Sequence, residues 1–182
     1  MGLDAGGFER ELAACLDRLA FAARRLTANA HDAEDLVAGA VAEAWAARDR
    51  FTPGTNFGGW LYRILWRNFL DRTRRSGKES LLMDPVVAQE MVSRAEAATP
   101  PEDWKAACAA LRQQFSDEVA HALDDLPPHY RLAVLLADVY ELPYAQIAEI
   151  LNVPISTVRF GLHAARARVR ERLTQRYQNK GL

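Results

Sequence analysis

Cysteine is scarce in this chain of 182 residues, which contains only Cys15 and Cys108. The two lie far apart, and neither has the close spacing to histidine or to a second cysteine that a structural zinc site requires. We therefore expect no metal site built on thiolates. Both cysteines are predicted to be buried free thiols.

Long apolar runs are also missing, because charged, polar or glycine residues interrupt every stretch before it could span a bilayer. The first residues, MGLDAGGFERE, lack the basic segment followed by an apolar segment that marks a signal peptide. These two absences predict a cytoplasmic protein without a membrane insertion.

The chain shows no sustained alternation of apolar and polar residues, the pattern of a half-buried strand. Alanine, leucine and arginine dominate instead, and apolar residues recur at helical spacing. With 49% hydrophobic residues the chain can build one ordinary domain or two small ones. We predict an all-α fold of two small helical domains joined by a linker.

Histidine is rare as well, and the four histidines are scattered without a nucleophile, a metal-ligand set or an acid-base partner nearby in sequence. They are His31, His121, His129 and His163. No enzymatic activity, cofactor or metal is therefore predicted.

Breaks in the helical pattern divide the chain into three parts. We predict a first domain over residues 1–75, a linker over 76–116 and a second domain over 117–182. Three helices are expected in the first domain, over about 8–28, within 29–51 and over 57–75, and four short helices in the second. The linker is predicted from its proline breaks and its acidic residues, which are Glu79, Asp84, Glu90, Glu96, Glu102 and Asp103.

Net charge is only −1, but it is unevenly distributed. Residues 58–75 contain five arginines against one aspartate, and residues 159–180 contain six arginines and one lysine against one glutamate. A single charge run usually marks a solvated helix face. Two such runs, each beside a helix motif, favour a surface that binds a polyanion such as DNA.

The segment 142–173 has the pattern of a helix-turn-helix. Pro143 suits a helix start, Asn152-Val153-Pro154 breaks the chain, and Ser156 or Thr157 could cap the next helix. Apolar residues place an inner face on both helices, as a motif that enters the major groove requires. Ser156, Arg159, Phe160 and His163 would then face base edges or phosphates. A plain helical hairpin is the alternative at this point.

The segment 50–75 interleaves aromatic residues with arginines, a mixture typical of surfaces that hold single strands by stacking and phosphate contacts. Trp60 and Ile64 are expected in the core. The remaining contact candidates are the loop from Thr52 to Asn56 and, on the helix, Tyr62, Arg63, Trp66, Arg67 and Asn68.

Segments 31–51, 56–75 and 124–170 together resemble the extracytoplasmic-function group of the sigma-70 family, over nearly the whole chain. In that family the first segment docks on the clamp helices of the RNA polymerase β′ subunit and the second engages the minus-ten promoter element. The third reads the minus-thirty-five element and rests on the β flap. The resemblance implies an alternative sigma factor, with core polymerase, promoter DNA and an anti-sigma factor as partners.

The resemblance implies three sets of binding residues. The minus-ten set is Thr52, Thr55, Asn56, Tyr62, Arg63, Arg67, Asn68, Arg74 and Arg75. The minus-thirty-five set is Ser156, Thr157, Arg159, Phe160, His163 and Arg166. The polymerase-binding set is Asp32, Glu34, Asp35, Leu36, Glu43 and Trp45.

The chain departs from the family pattern at four positions. Ala38 and Gly39 replace a glutamine and an acidic residue, and Gly161 and Ala164 replace two arginines that customarily bind phosphate. Gly161 is expected either to pack closely or to let the backbone approach DNA. Two alternatives stay open: a helix-turn-helix regulator that acts without polymerase, and a sigma-like interaction protein that does not transcribe.

Overall fold

The computed structural model describes residues 2–27, 29–77, 123–124 and 126–179, with side chains as far as Glu171. The predicted linker with its acidic residues, and Cys108, lie outside the described residues, so the predicted domain boundaries stay predictions. Every regular element within the described ranges is helical. The chain divides into two compact units, the first containing three long helices and the second containing most of the helix-turn-helix.

In the first unit, each of the three α-helices begins after an aspartate or asparagine that caps it. The helices are α1 (Ala5–Leu26), α2 (Ala30–Ala46) and α3 (Phe57–Arg75), with a short 3₁₀ turn at Arg48–Arg50. The side chains of Asp4, Asn29 and Asn56 accept backbone N–H groups of the first turns at 2.7–2.9 Å. Such caps satisfy N–H groups that have no partner within the helix.

The core of the first unit lies where α1, α2 and α3 contact one another. Phe8, Leu19, Leu36, Leu61 and Leu65 are almost fully buried there. The helical spacing of Leu16 with Leu12 and Leu19 predicts an inward position for Leu16, but its side chain is 38% exposed. Cys15 is half-buried and free, and burial, with a smaller contribution from Glu11, raises the pKa of its thiol to about 11.

The second unit contains α4 (Pro128–Val134), a π-helical turn (Leu135–Val139), α5 (Tyr144–Leu151) and α6 (Ile155–Asn179). The sequence predicts one helix across residues 130–140, and the structure widens its second half into the π turn. The guanidinium of Arg131, a residue of α4, donates hydrogen bonds to three carbonyls that precede this helix, those of Leu123, Asp124 and Leu126. These bonds fix the chain as it enters α4.

The helix-turn-helix consists of α5, a three-residue turn and α6. Asn152 takes the left-handed conformation (φ 56°, ψ 49°), and its N–H and that of Val153 both reach the Ala148 carbonyl. This ends α5 as a left-handed cap does. The new helix begins at Ile155, so the prediction that Ser156 or Thr157 caps it is wrong, because both lie inside its first turn.

Candidate nucleic-acid interface

The start of α6 presents a polar and cationic face to solvent. Ser156, Thr157, Arg159 and Phe160 are exposed and His163 is half-buried. Ser156, Arg159, Phe160 and His163 occupy positions i, i+3, i+4 and i+7, which places them on one side of a helix. No acidic residue occurs between Ile155 and Arg170, so a phosphate approaching this face meets no carboxylate from α6.

The opposite face of α6 is buried and fixes the rotation of the helix about its own axis. Val158, Leu162 and Ala165 are at most 3% exposed. Gly161 lies against the ring of Tyr130, and a Cβ atom at this position would stand 2.6 Å from the Tyr130 Cε1 atom. The exposed face therefore points away from the unit because the buried face allows only one orientation.

An ion pair ties α6 to the π-helical turn. The Arg166 guanidinium donates to both carboxylate oxygens of Asp138, at 2.5 and 3.1 Å, and lies 3.4 Å from the Tyr144 hydroxyl. Burial alone would lower the pKa of Arg166, but the hydrogen bonds and charge of Asp138, aided by Tyr144, raise that pKa above its ordinary value. Asp138 itself is 7% exposed.

This pair corrects one predicted contact and reveals a residue that sequence reasoning missed. The resemblance assigns Arg166 to the minus-thirty-five set, but its guanidinium bonds to Asp138 within the second unit. Asp138 belongs to none of the predicted sets. Its importance can be read from the sequence, since Asp138 is the lone acidic residue within the apolar run 132–139, and a buried carboxylate requires a cationic or hydrogen-bonding partner.

In the first unit, the loop before α3 is a tight turn. The Thr55 N–H bonds to the Thr52 carbonyl at 3.2 Å, and Gly54 has a φ of +86° directly after Pro53. Proline followed by glycine with positive φ is the signature of a type II turn. Thr52, Thr55 and Asn56 are all exposed, as the minus-ten prediction requires.

The aromatic residues around this loop pack on one another. Phe51, Phe57 and Trp60 contact one another at ring-centroid distances of 5.1–5.6 Å, and Phe57 also contacts Phe8. Such edge-on and tilted arrangements are those that aromatic pairs prefer. Phe51 and Phe57 are buried core rings rather than stacking platforms for bases, whereas Trp60, predicted in the core, is half-buried.

Along α3 the predicted contact residues divide into exposed and buried. Tyr62 and Trp66 are only 3% and 5% exposed, so the prediction that they face outward is wrong, because both belong to the apolar face that packs in the first unit. The other members stay accessible. Arg63, Arg67, Arg74 and Arg75 are exposed and Asn68 is half-buried.

The predicted polymerase-binding residues of α2 divide in the same way. Leu36 is fully buried and cannot contact a partner, which corrects that prediction, whereas Asp32, Glu34 and Asp35 are exposed and Glu43 is half-buried. Trp45 is 38% exposed, with Arg48 stacked 4.3 Å above its ring.

Residues from two predicted surfaces meet where α2 and α3 pack. Arg67 of the minus-ten set forms an ion pair with Glu43 of the polymerase set. Arg72 also crosses from α3 to α2, where it reaches the Asp32 carbonyl at 3.4 Å. The acidic surface of α2 thus lies directly beside the basic surface of α3.

Other kinds of site find no support in the part of the chain that the structure describes. It contains no cluster of three or more histidine, cysteine, aspartate or glutamate side chains suited to a metal ion. Among the described helices, none has the length and apolar character needed to cross a membrane.

Family models match both units. The model of sigma-70 region 2 matches residues 12–79, and that of sigma-70 region 4 matches residues 116–169. Among curated proteins, the ECF RNA polymerase sigma factor SigW of Bacillus subtilis is 32% identical over 153 residues, which cover 82% of this chain and 79% of SigW. The chain belongs to the extracytoplasmic-function (ECF) group of the sigma-70 family.

Other relatives agree with this assignment. The ECF sigma factor SigE of Mycolicibacterium smegmatis is 34% identical over 87% of this chain, which spans 58% of the length of SigE. The solved structure of the sigma factor RpoE bound to the anti-sigma factor NepR, from Bartonella quintana, has a TM-score of 0.68 at 26% identity. That match covers 92% of this chain and 96% of RpoE. The fold predicted from the sequence is confirmed.

The four positions at which this ECF sigma factor departs from the family pattern differ in burial. Gly161 and Ala164 are both buried: a Cβ atom at Gly161 would meet the Tyr130 ring, and Ala164 is 3% exposed. Ala38 and Gly39 are exposed on α2. A Cβ atom added at Gly39 would meet only the Asn68 side chain, at 3.9 Å.

Proposed function

We propose that this ECF sigma factor is an alternative sigma factor, which binds core RNA polymerase, directs it to promoters and helps to melt the start region. The observation that carries the proposal is the exposed face at the start of α6. That face combines Ser156, Thr157 and Arg159 without a nearby carboxylate of α6, on a helix-turn-helix whose buried face fixes its direction. A helix presented in this way can enter the major groove.

The first unit supplies the second DNA surface of the proposal. The turn at Thr52–Asn56 and the exposed arginines of α3 would hold the opened minus-ten strand, with Arg63, Arg67, Arg74 and Arg75 near its phosphates and Asn68 offering hydrogen bonds. Tyr62 and Trp66 are left out of this surface because they are buried.

The exposed carboxylates of α2 would bind polymerase, in the role that the equivalent region has in the family. Asp32, Glu34, Asp35 and the Trp45–Arg48 stack form this proposed surface, which would contact the β′ subunit, while the second unit would contact the β flap. An anti-sigma factor is proposed as regulator because the similar RpoE structure contains one. The protein is proposed to act in the cytoplasm and to have no catalytic chemistry of its own.

Run-off transcription with purified core polymerase tests the proposal directly. Core enzyme with the full chain should start transcription at specific promoters, and core enzyme alone should not. Arg159→Ala should weaken promoter binding and reduce the salt dependence of that binding, since one phosphate contact is lost. Arg24→Ala, which removes an exposed arginine at the end of α1, is the matched control and should retain activity.

A template with a mismatched, already melted start region separates the two DNA surfaces. Thr52→Ala and Asn68→Ala should lower transcription from the duplex promoter, and premelting should recover much of the loss. Arg159→Ala should gain little from premelting, because its defect lies in duplex binding. If premelting restored transcription equally for Arg159→Ala and for the variants at Thr52 and Asn68, the proposed separate roles of the two DNA surfaces would be contradicted.

Polymerase dependence distinguishes the two rivals from a sigma factor. Tight, specific DNA binding that is equal with and without core enzyme would favour a regulator that acts alone. Binding to core enzyme without any transcription would favour a sigma-like interaction protein.

A further inference from the structure

The exposed face of α6 contains one large apolar side chain that the polar chemistry of phosphate binding does not explain. Phe160 is 38% exposed, directly after Arg159 and one helical turn after Ser156. It does not belong to the inner face of α6, because Val158, Leu162 and Ala165 fill that side. A phenyl ring left in water on a binding face favours an apolar partner, since burying it releases free energy.

In the major groove, the apolar group that a base edge offers is the C5 methyl group of thymine. Guanine, cytosine and adenine present hydrogen-bond donors and acceptors there, which a phenyl ring cannot satisfy. Phe160 shares its helix face with Arg159 and Ser156, which can bond to the backbone phosphates or to neighbouring base edges. The ring is therefore placed among groups suited to duplex DNA.

We propose that Phe160 is a specificity-determining residue that selects thymine in the upstream promoter element through contact with its methyl group. The inference rests on the proposed function, because it assumes that α6 enters the major groove. The packing of α6 supports this proposal. The contact of Gly161 with Tyr130 and the Arg166–Asp138 ion pair hold the backbone next to Phe160 in place. A ring held in this way can discriminate between bases at one position.

Uracil tests the contact, because it pairs as thymine does and lacks only the methyl group. Holoenzyme assembled from core polymerase and the full chain first selects promoters from duplexes with a randomised upstream region. Each thymine of the selected element is then replaced by uracil in turn, and promoter binding is measured. One position should lose about fourfold in affinity, the factor expected for burying one methyl-sized group. This scan uses the unaltered protein.

Phe160→Ala should weaken binding to the thymine duplex by a similar or larger factor. The variant should then bind the uracil duplex as well as it binds the thymine duplex. Ile155→Ala is the matched control, because Ile155 is similarly exposed at 41% but lies five residues, or about 140° around the helix, from Phe160. It should keep the full response to uracil. Circular dichroism checks that both variants are folded, as their exposed positions predict.

Three results would overturn the inference. The uracil scan could show no sensitive position, or the sensitivity could persist in Phe160→Ala. Phe160→Ala could also leave DNA binding unchanged and weaken a protein partner, which would assign the ring to that partner. If the holoenzyme selects no upstream sequence at all, the proposed function fails as well, whereas selection without a response to uracil refutes only the role of Phe160.

Discussion

Two glycines inside helices should respond in opposite ways to the same substitution. Alanine stabilises a helix interior by about 1 kcal/mol relative to glycine, so both replacements gain the same favourable contribution to the free energy of unfolding. At Gly39 the added methyl group would meet only the Asn68 Nδ2 atom, at an ordinary distance of 3.9 Å. Gly39→Ala should therefore raise the free energy of unfolding by roughly 0.5–1 kcal/mol.

At Gly161 the added methyl group would collide with a ring. It would stand 2.6 Å from the Tyr130 Cε1 atom and 2.8 Å from Cδ1, so the ring must move by about 1 Å to restore normal contact. Tyr130 is 9% exposed and its ring centroid lies 3.9 Å from that of His129, which leaves little room for the shift. Overpacking of this kind costs about 1–3 kcal/mol. The gain of about 1 kcal/mol in helix propensity offsets part of this cost. Gly161→Ala should therefore destabilise the second unit by about 1 kcal/mol.

Hydrogen exchange resolved by peptide can measure both effects in the full chain, since α2 and α6 are followed separately. Protection should rise in α2 for Gly39→Ala and fall in α6 for Gly161→Ala. In a Tyr130→Leu background the penalty at position 161 should shrink, because the two sites share one contact. If Gly161→Ala stabilised α6 as Gly39→Ala stabilises α2, the steric account of Gly161 would be refuted.

Three further predictions concern single side chains. Because the pKa of the Cys15 thiol is about 11, iodoacetamide should alkylate it slowly at pH 7 in a Cys108→Ser variant, with a rate that rises about tenfold per pH unit toward pH 11; rapid reaction at neutral pH would contradict this. Asp138→Ala should cost about 3 kcal/mol in urea unfolding, because it leaves the Arg166 charge without its carboxylate partner, and Asp138→Ala with Arg166→Met should recover much of that loss. Asn56→Ala should cost about 1 kcal/mol by removing the cap of α3, whereas Asn56→Asp, which keeps an accepting oxygen, should not.

The helices could be predicted from the sequence because their signals are local. The predicted bounds of α3 match the structure at both ends, since Asn56 provides the cap and glycine follows the final arginines at Gly77. The pattern of α3 predicts that Tyr62 and Trp66 face outward, whereas both are buried. A residue at the edge of an apolar stripe is buried or exposed according to the neighbouring helix, and that neighbour is brought there by tertiary packing.

The role of each arginine in the basic runs could not be predicted either, because it depends on which carboxylate lies nearby in space. Arg159 and Arg166 belong to the same run, yet the first is exposed and the second is bonded to Asp138, 28 positions earlier in the chain. Nothing in the spacing of the run distinguishes them. The helix-turn-helix could thus be located from sequence, while the exposure of each of its arginines required the structure.

The strength of each ion pair decides which arginines can be released to bind DNA. Arg67 pairs with Glu43, but the two side chains are 58% and 38% exposed, and pairs of this kind contribute about 0–1 kcal/mol. A phosphate can therefore compete for Arg67. The Arg166 and Asp138 side chains are 23% and 7% exposed, and separating such a pair costs about 3 kcal/mol or more. Since one phosphate contact would not offset that cost, Arg166 serves to position α6, whereas Arg67 stays available to a phosphate.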